Sequence, residues 1–271
     1  MNLLSKLVVS GLLCGLIGAH IGLSRKCTQP DPKLAKHIAE LRAKHADILN
    51  SLGLPAFGDG IKVVPRSQLG LPDDILEIGA EEARQQAELG YVKKETTSPG
   101  ELLDMKVMAP IDIRQYAANN NEKGTHLRQS TRQLKLAFKF RGVEGDDFLL
   151  HENNNIKVLG AAPQGAFHDE LDGWSGAAQF FSMKNLGVCS YAVMNVKASG
   201  TSAMLAMEDV TYDINSKATL IHTEGSKNSG FLYKVEWFDD GNFHELECAN
   251  DQYSKQIKHE VIELARMIDK S

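Results

Sequence analysis

The sequence lacks the excess of basic residues that nucleic-acid binding requires. Its 271 residues include 30 Lys and Arg against 35 Asp and Glu, which gives a net charge of −5. A protein that contacts many phosphates needs a concentrated basic surface. We therefore expect no nucleic-acid partner.

The sequence also lacks metal and redox motifs. Its four cysteines stand at positions 14, 27, 189 and 248, and they form no CxxC pair. No HExxH helix motif or zinc-like spacing of cysteine and histidine is present. We therefore expect neither a metal site nor a cofactor.

What the sequence does have is an uncharged hydrophobic run near its start. Residues 7–19 carry no charge and follow Lys6. This length is typical of a signal peptide, because a membrane-spanning helix needs about 20 apolar residues. Small residues at Gly22 and Ser24 predict cleavage after residue 24. The protein would then work outside the cytoplasm, in the periplasm or secreted.

An uncleaved anchor is the alternative reading of residues 1–24. It would hold the chain in the inner membrane, facing the periplasm, and would be its only contact with the membrane. His20 and the short length argue against this anchor. Lipidation is disfavoured, since neither Cys14 nor Cys27 follows a small residue.

Cys189 and Cys248 are the natural disulfide pair, because both lie in strand-like stretches. An exported protein meets an oxidising compartment in which disulfides persist. The bridge would close a loop worth ~4 kcal/mol in the chain-entropy model. Two buried free thiols are the alternative.

The region 25–121 is predicted to be mainly helical. Asp31 and Pro32 suit the start of a helix that ends at Gly53. A second helix is predicted to begin at Asp73 or Asp74 and to end at Gly90. The polar run 119–121, three asparagines, is the predicted boundary with the rest of the chain.

The region 122–271 is predicted to be an antiparallel sheet with a C-terminal helix. Apolar residues alternate over 134–141, which is typical of a half-buried strand. Residues 239–242 predict the turn of a hairpin. Helical spacing of apolar residues predicts an amphipathic C-terminal helix, with Tyr253, Ile257, Val261, Leu264 and Ile268 on one side.

Together these patterns predict an α+β fold. A helical N-terminal third would be followed by a mainly antiparallel β-sheet with the C-terminal amphipathic helix packed on it.

The segment 173–177 resembles an incomplete G-x-S-x-G nucleophile motif. The motif needs a core strand before the serine and a helix after it, and here Ala177 replaces the last glycine. Ser175 is thus a weak catalytic candidate, with His168 as base and Asp172 as acid. A solvated loop is the favoured interpretation.

Trp174 and Asp169 are weak candidates for ligand binding. They stand in a glycine-rich stretch, residues 160–177, that we expect to form a loop. An aromatic side chain in such a loop often lines a cleft.

The sequence therefore favours an exported envelope or secreted protein that binds a protein or a small apolar ligand and is not an enzyme. The alternative is a secreted hydrolase with a site near Ser175 and His168. The two hypotheses differ in whether Ser175 lies beside a histidine in a cleft.

Overall fold

The computed structural model describes residues 36, 61–104, 130–143, 156–199, 203–239 and 241–270. The predicted signal peptide and the predicted boundary at 119–121 lie outside these residues, as does the predicted helix over 31–53 apart from Lys36, which is helical.

Strands form more of the described backbone than helices do. The strands are β1 Ile61–Val64, β2 Val92–Lys93, β3 Ile156–His168, β4 Gly173–Met183, β5 Gly187–Asn195, β6 Ala203–Ala206, β7 Tyr212–Ile214, β8 Lys217–Ser226, β9 Gly230–Phe238 and β10 Asn242–Asn250. The α-helices are α1 Asp73–Leu89, α2 Ser98–Asp104, α3 Val196–Ser199 and α4 Lys255–Lys270. Short 3-10 turns lie at Arg66–Gln68, Thr131–Gln133 and Met207–Asp209.

The main sheet has eight strands in the order β2-β8-β9-β10-β5-β4-β3, with β7 paired to β8. Neighbouring strands in this sheet are antiparallel, except that β2 runs parallel to β8. A separate two-stranded sheet pairs β1 with β6 in parallel. Strands from the first third of the chain therefore join strands from its last third.

The predicted fold class is wrong in its arrangement. Strands predominate in the described residues, and the large sheet is mixed, because β2, from the region predicted to be mainly helical, joins it parallel to β8. The parallel partners explain the error, since Ile61 pairs with Ala203 and Val92 with Glu224. Such distant pairing leaves no trace in a local pattern.

Several local predictions are confirmed. Helix α1 ends at Gly90, which takes the left-handed conformation at φ 85° that glycine adopts without strain. Strands β9 and β10 pair as the predicted hairpin, with Phe238 opposite Phe243. Helix α4 carries the predicted apolar stripe, with Val261, Leu264 and Ile268 buried.

The predicted strand over 134–141 is wrong. In this segment the described pairing is a single parallel bridge from Leu136 to Trp174. Phe138 and Phe140 instead pack against the buried core beside α4, and Val143 is fully buried within it. The alternating pattern thus arises from side chains that cover the core without forming a ladder.

The core lies between one face of the central strands and α4. It includes Phe181, Tyr191, Tyr233, Trp237 and Leu246 from the sheet, and Val261, Leu264, Ala265 and Ile268 from the helix. The predicted disulfide is confirmed inside this core. Cys189 on β5 and Cys248 on β10 are directly opposed, with Cα atoms 4.1 Å apart, and both are fully buried.

The opposite face of the sheet is covered at one end by α2. Leu102 and Leu103 pack there with Val188, Leu232 and Ala249. Further along the same face, charged side chains replace apolar ones on β8, β9 and β10. Within the described residues, no helix has the length and apolar character needed to cross a membrane.

Candidate functional site

The candidate catalytic residues lie on the β3–β4 hairpin. Contrary to the expectation of a loop over 160–177, this stretch forms two long paired strands joined by a turn. Glycines and acidic residues are typical of a loop, but a register shift between Gln164 and Phe167 accommodates the irregular stretch within the strand. The candidate residues therefore lie on the paired strands or in the turn that joins them.

Ser175 is fully buried in β4. Its hydroxyl accepts a hydrogen bond from the Ala166 amide at 3.1 Å and donates one to the Ala166 carbonyl at 3.3 Å. These two bonds hold the bulged part of β3 against β4. The described hydrogen bonds of Ser175 thus reach the neighbouring backbone, and none of them reaches a histidine.

The other candidates lie around the tip of the same hairpin. His168 ends β3 and is buried, whereas Asp169 and Asp172 are exposed in the turn. Asp172 forms an ion pair with Lys135. Trp174 is half-buried and stacks edge to face on Phe167, with ring centroids 5.7 Å apart. The hairpin brings these residues close in the chain, but their described contacts do not converge on one point.

A chain of polar side chains runs through the core beside Trp237. The Tyr191 hydroxyl lies 2.8 Å from His244 Nδ1, and His244 Nε2 lies 3.0 Å from Asp239 Oδ2. Burial raises the pKa of Tyr191 above its ordinary value. Burial would also raise the pKa of Asp239, but hydrogen bonds from His244 and Asn242 lower it overall.

Tyr191, His244 and Asp239 are hydrogen-bonded in a chain inside the core. The rings of Trp237 and His244 are stacked, with centroids 5.0 Å apart. Tyr191 is only 2% exposed. The chain of hydrogen bonds therefore stabilises the core, because each buried polar group has its partner there.

An ionic cluster occupies the opposite face of the sheet. Lys234 on β9 forms ion pairs with Glu236 at 3.3 Å, with Glu247 at 3.5 Å, and with Glu245. One lysine thus faces three carboxylates on two adjacent strands. We call Lys234, Glu236, Glu245 and Glu247 the Lys234 cluster.

Because one positive charge faces three carboxylates, the pKa values in the Lys234 cluster are shifted. Burial, together with the charge of Glu245, raises the pKa of Glu247 to about 7. Burial likewise raises the pKa of Glu236. Burial alone would lower the pKa of Lys234, but the three carboxylates raise it instead. The lysine is therefore held in its charged form, while two of its partners resist ionisation.

A groove of about 440 Å³ lies between α4 and the β4–β5 turn. One wall is a stripe of α4 at helical spacing, and the other is the turn over 183–186. The lining residues are Met183, Lys184, Asn185, Leu186, Gln256, His259, Glu260, Glu263, Leu264 and Met267. The apolar lining side chains are buried or half-buried and form the floor, whereas the polar ones are half-buried or exposed and form the rim.

The β4–β5 turn is held in place by close packing against β10. A Cβ atom at Gly187, where φ is 87°, would lie 2.1 Å from the Ala249 carbonyl oxygen. Only glycine permits this approach. Asn250 donates from Nδ2 to the Asn185 carbonyl at 3.4 Å. The turn thus forms a fixed wall of the groove.

The rim of the groove carries charges of both signs. Glu263 is paired with Arg266 at 2.5 Å. Glu260 accepts a hydrogen bond from Gln256 at 2.8 Å, and Lys184 is exposed. Among the described contacts, neither Glu260 nor Lys184 forms an ion pair.

Sequence reasoning missed both the groove and the Lys234 cluster. Charged residues that alternate along β9 and β10 resemble an ordinary solvated strand face. The groove is lined by residues from distant parts of the chain, such as Lys184 and Glu260. One local signal pointed to the groove: Met267 is an apolar residue among polar ones in the C-terminal helical pattern.

The described residues contain no group of three or more histidine, cysteine or acidic side chains placed to hold a metal ion. Comparison of the chain with known protein families, with curated proteins and with solved structures finds no match.

Proposed function

We propose that the chain is an exported protein that binds a segment of another protein in the groove between α4 and the β4–β5 turn. The groove carries this proposal. Its floor is built from Met183, Leu186, Leu264 and Met267, and its rim from polar and charged side chains. An apolar centre inside a polar rim is the usual arrangement of a protein interface.

The two methionines support a binding role. Met183 and Met267 are only partly buried, although both pack against the core. Methionine is flexible and polarisable, so it adapts to different apolar partners and is common at binding surfaces. A protein segment fits the open, charged rim better than a small apolar ligand, which would need enclosure on most sides.

The disulfide supports export. A cross-strand bridge at the centre of the sheet is expected in an oxidising compartment and is rare in the cytosol. The predicted signal peptide over 1–24 leads to the same compartment. Periplasmic or secreted placement is therefore part of the proposal, and anchoring through residues 1–24 is its alternative.

The hydrolase hypothesis has less support. A nucleophile must meet its substrate, and Ser175 has no exposed surface. Its hydroxyl is also committed to the backbone of Ala166. A substrate could reach Ser175 only if β3 separated from β4.

Site-directed photo-crosslinking in the native host tests the proposal. The photoreactive residue p-benzoylphenylalanine replaces Lys184 in the groove or, as a matched control, Lys139, which is exposed in the segment that bridges to Trp174 at the other end of β4. We expect a discrete adduct with another protein from position 184 and none from position 139.

A second pair of variants shows whether the adduct depends on the groove. Met267→Glu places a charge in the floor, whereas Met207→Glu places one at a methionine that is 56% exposed elsewhere. We expect the adduct to be lost only in Met267→Glu, with both variants shown to be folded by circular dichroism. Equal crosslinking from both positions, or an adduct unaffected by Met267→Glu, would contradict the proposal.

A further inference from the structure

We infer that the groove takes a short extended peptide segment with an apolar anchor and two oppositely charged side chains, a basic one against Glu260 and an acidic one against Lys184. This inference rests on the proposed function and specifies the partner's chemistry.

The dimensions of the groove set the length of the segment. Its helical wall runs from Gln256 to Met267. At about 1.5 Å per helical residue this is roughly 16 Å. An extended peptide advances about 3.3 Å per residue, so about five residues match the wall.

The floor of the groove selects an apolar anchor. Leu186 and Leu264 are buried, and the more accessible Met183 and Met267 lie beside them. A leucine, methionine or phenylalanine of the partner would remove the accessible surface of Met183 and Met267 from water. A polar side chain there would lose hydration without gaining a partner.

The rim of the groove determines which charged side chains the peptide carries. Lys184 and Glu260 line the same groove, yet in the described structure they do not pair with each other or with another ionic side chain. Glu263 differs, because Arg266 already neutralises it at 2.5 Å. One positive and one negative group are thus available to a partner. Electrostatic complementarity of this kind determines specificity more than it adds affinity.

A selection from a random heptapeptide display library tests the inference on the full exported protein. The targets are the wild type and the double variant Lys184→Glu/Glu260→Lys, which exchanges the two charges. The matched control exchanges charges away from the groove, in Lys139→Glu/Glu77→Lys, since both side chains are exposed. We expect peptides from the wild type to carry an apolar residue flanked by one acid and one base.

The affinities of the selected peptides provide the quantitative readout. Fluorescence anisotropy with a labelled selected peptide should show a loss of about twofold to fivefold in affinity in the single variant Glu260→Lys, as expected for a partly solvated ion pair. The control variant should bind like the wild type. A peptide with its charges exchanged should prefer the double variant.

The outcomes separate the two proposals. Selected peptides that need Met267 but are indifferent to both charge reversals would overturn this inference and leave the proposed function intact. Peptides that bind Met267→Glu as well as the wild type, or no enrichment at all, would contradict the proposed function itself.

Discussion

Replacing Glu247 with glutamine should stabilise the protein at pH 8 and have much less effect at pH 5. Glu247 belongs to the Lys234 cluster, in which one lysine faces three carboxylates. Glutamine keeps the shape of the side chain and removes its charge. The substitution therefore tests whether a charged Glu247 opposes folding.

The size of the effect follows from the pKa of Glu247, which rises from 4.5 to about 7 on folding. A rise of roughly 2.5 pKa units corresponds to ~3 kcal/mol at about 1.36 kcal/mol per unit. Because the side chain is 27% exposed and shares its proton equilibrium with neighbouring glutamates, we expect ~2 kcal/mol.

The direction of the pH dependence is fixed by proton uptake. Between pH 4.5 and 7 the folded protein keeps a proton on Glu247 that the unfolded chain has released. The free energy of unfolding therefore falls as the pH rises through this window. The destabilisation is complete about one pH unit above 7 and absent about one pH unit below 4.5. Glu236, whose pKa is also raised, adds to the same trend.

Urea unfolding followed by tryptophan fluorescence, at pH 5 and at pH 8, measures the effect. The glutamine variant should be more stable than the wild type by ~2 kcal/mol at pH 8 and by less than ~1 kcal/mol at pH 5. Glu77→Gln, on the exposed side of α1, controls for the loss of a surface carboxylate. If Glu247→Gln and the wild type changed in parallel between the two pH values, the reasoning about the Lys234 cluster would be refuted.

Four further predictions concern stability and export. Replacing Cys189 and Cys248 with serine should cost ~4 kcal/mol in urea unfolding, since the bridge closes a 59-residue separation; an unchanged midpoint after reduction would argue against this. Asp269→Asn should cost ~3 kcal/mol, because its side chain is only 4% exposed and pairs with a lysine; a thermal shift near zero would exclude that role. Ser175→Ala should cost ~1 kcal/mol by leaving a backbone amide without its acceptor, again measured in urea. The intact mass of the native protein should correspond to a chain without residues 1–24, whereas a full-length mass would favour the anchor.

The sequence predicted those elements whose signals are local. Gly90 ends α1 because only glycine takes its backbone conformation without strain. The turn at 239–242 has the short polar sequence that a hairpin needs. The stripe of α4 is visible from spacing alone. The pairing of Cys189 with Cys248 could be predicted because few cysteines were available and both lay in strand-like stretches.

The sequence failed where distant residues decide the structure. The parallel partners of β1 and β2 lie far along the chain, so the mixed sheet could not be foreseen. The glycines of residues 160–177 predict a loop, but the stretch is paired in the β3–β4 hairpin. A bulge and the hydrogen bond to the buried Ser175 support the irregular part of the strand. The groove has no local signature either, since its two walls meet only after folding.

Helix α4 connects the core to the proposed binding groove. Its buried stripe fixes the helix on the sheet, and the adjacent stripe then forms one wall of the groove. The sheet also holds both ends of the helix. Tyr233 accepts a hydrogen bond from the Ser254 amide at 2.7 Å just before the helix, and Trp237 donates to Asp269 at 2.9 Å near its last turn. A groove wall held at both ends loses little freedom on binding, so a short segment can bind there at a lower entropic cost.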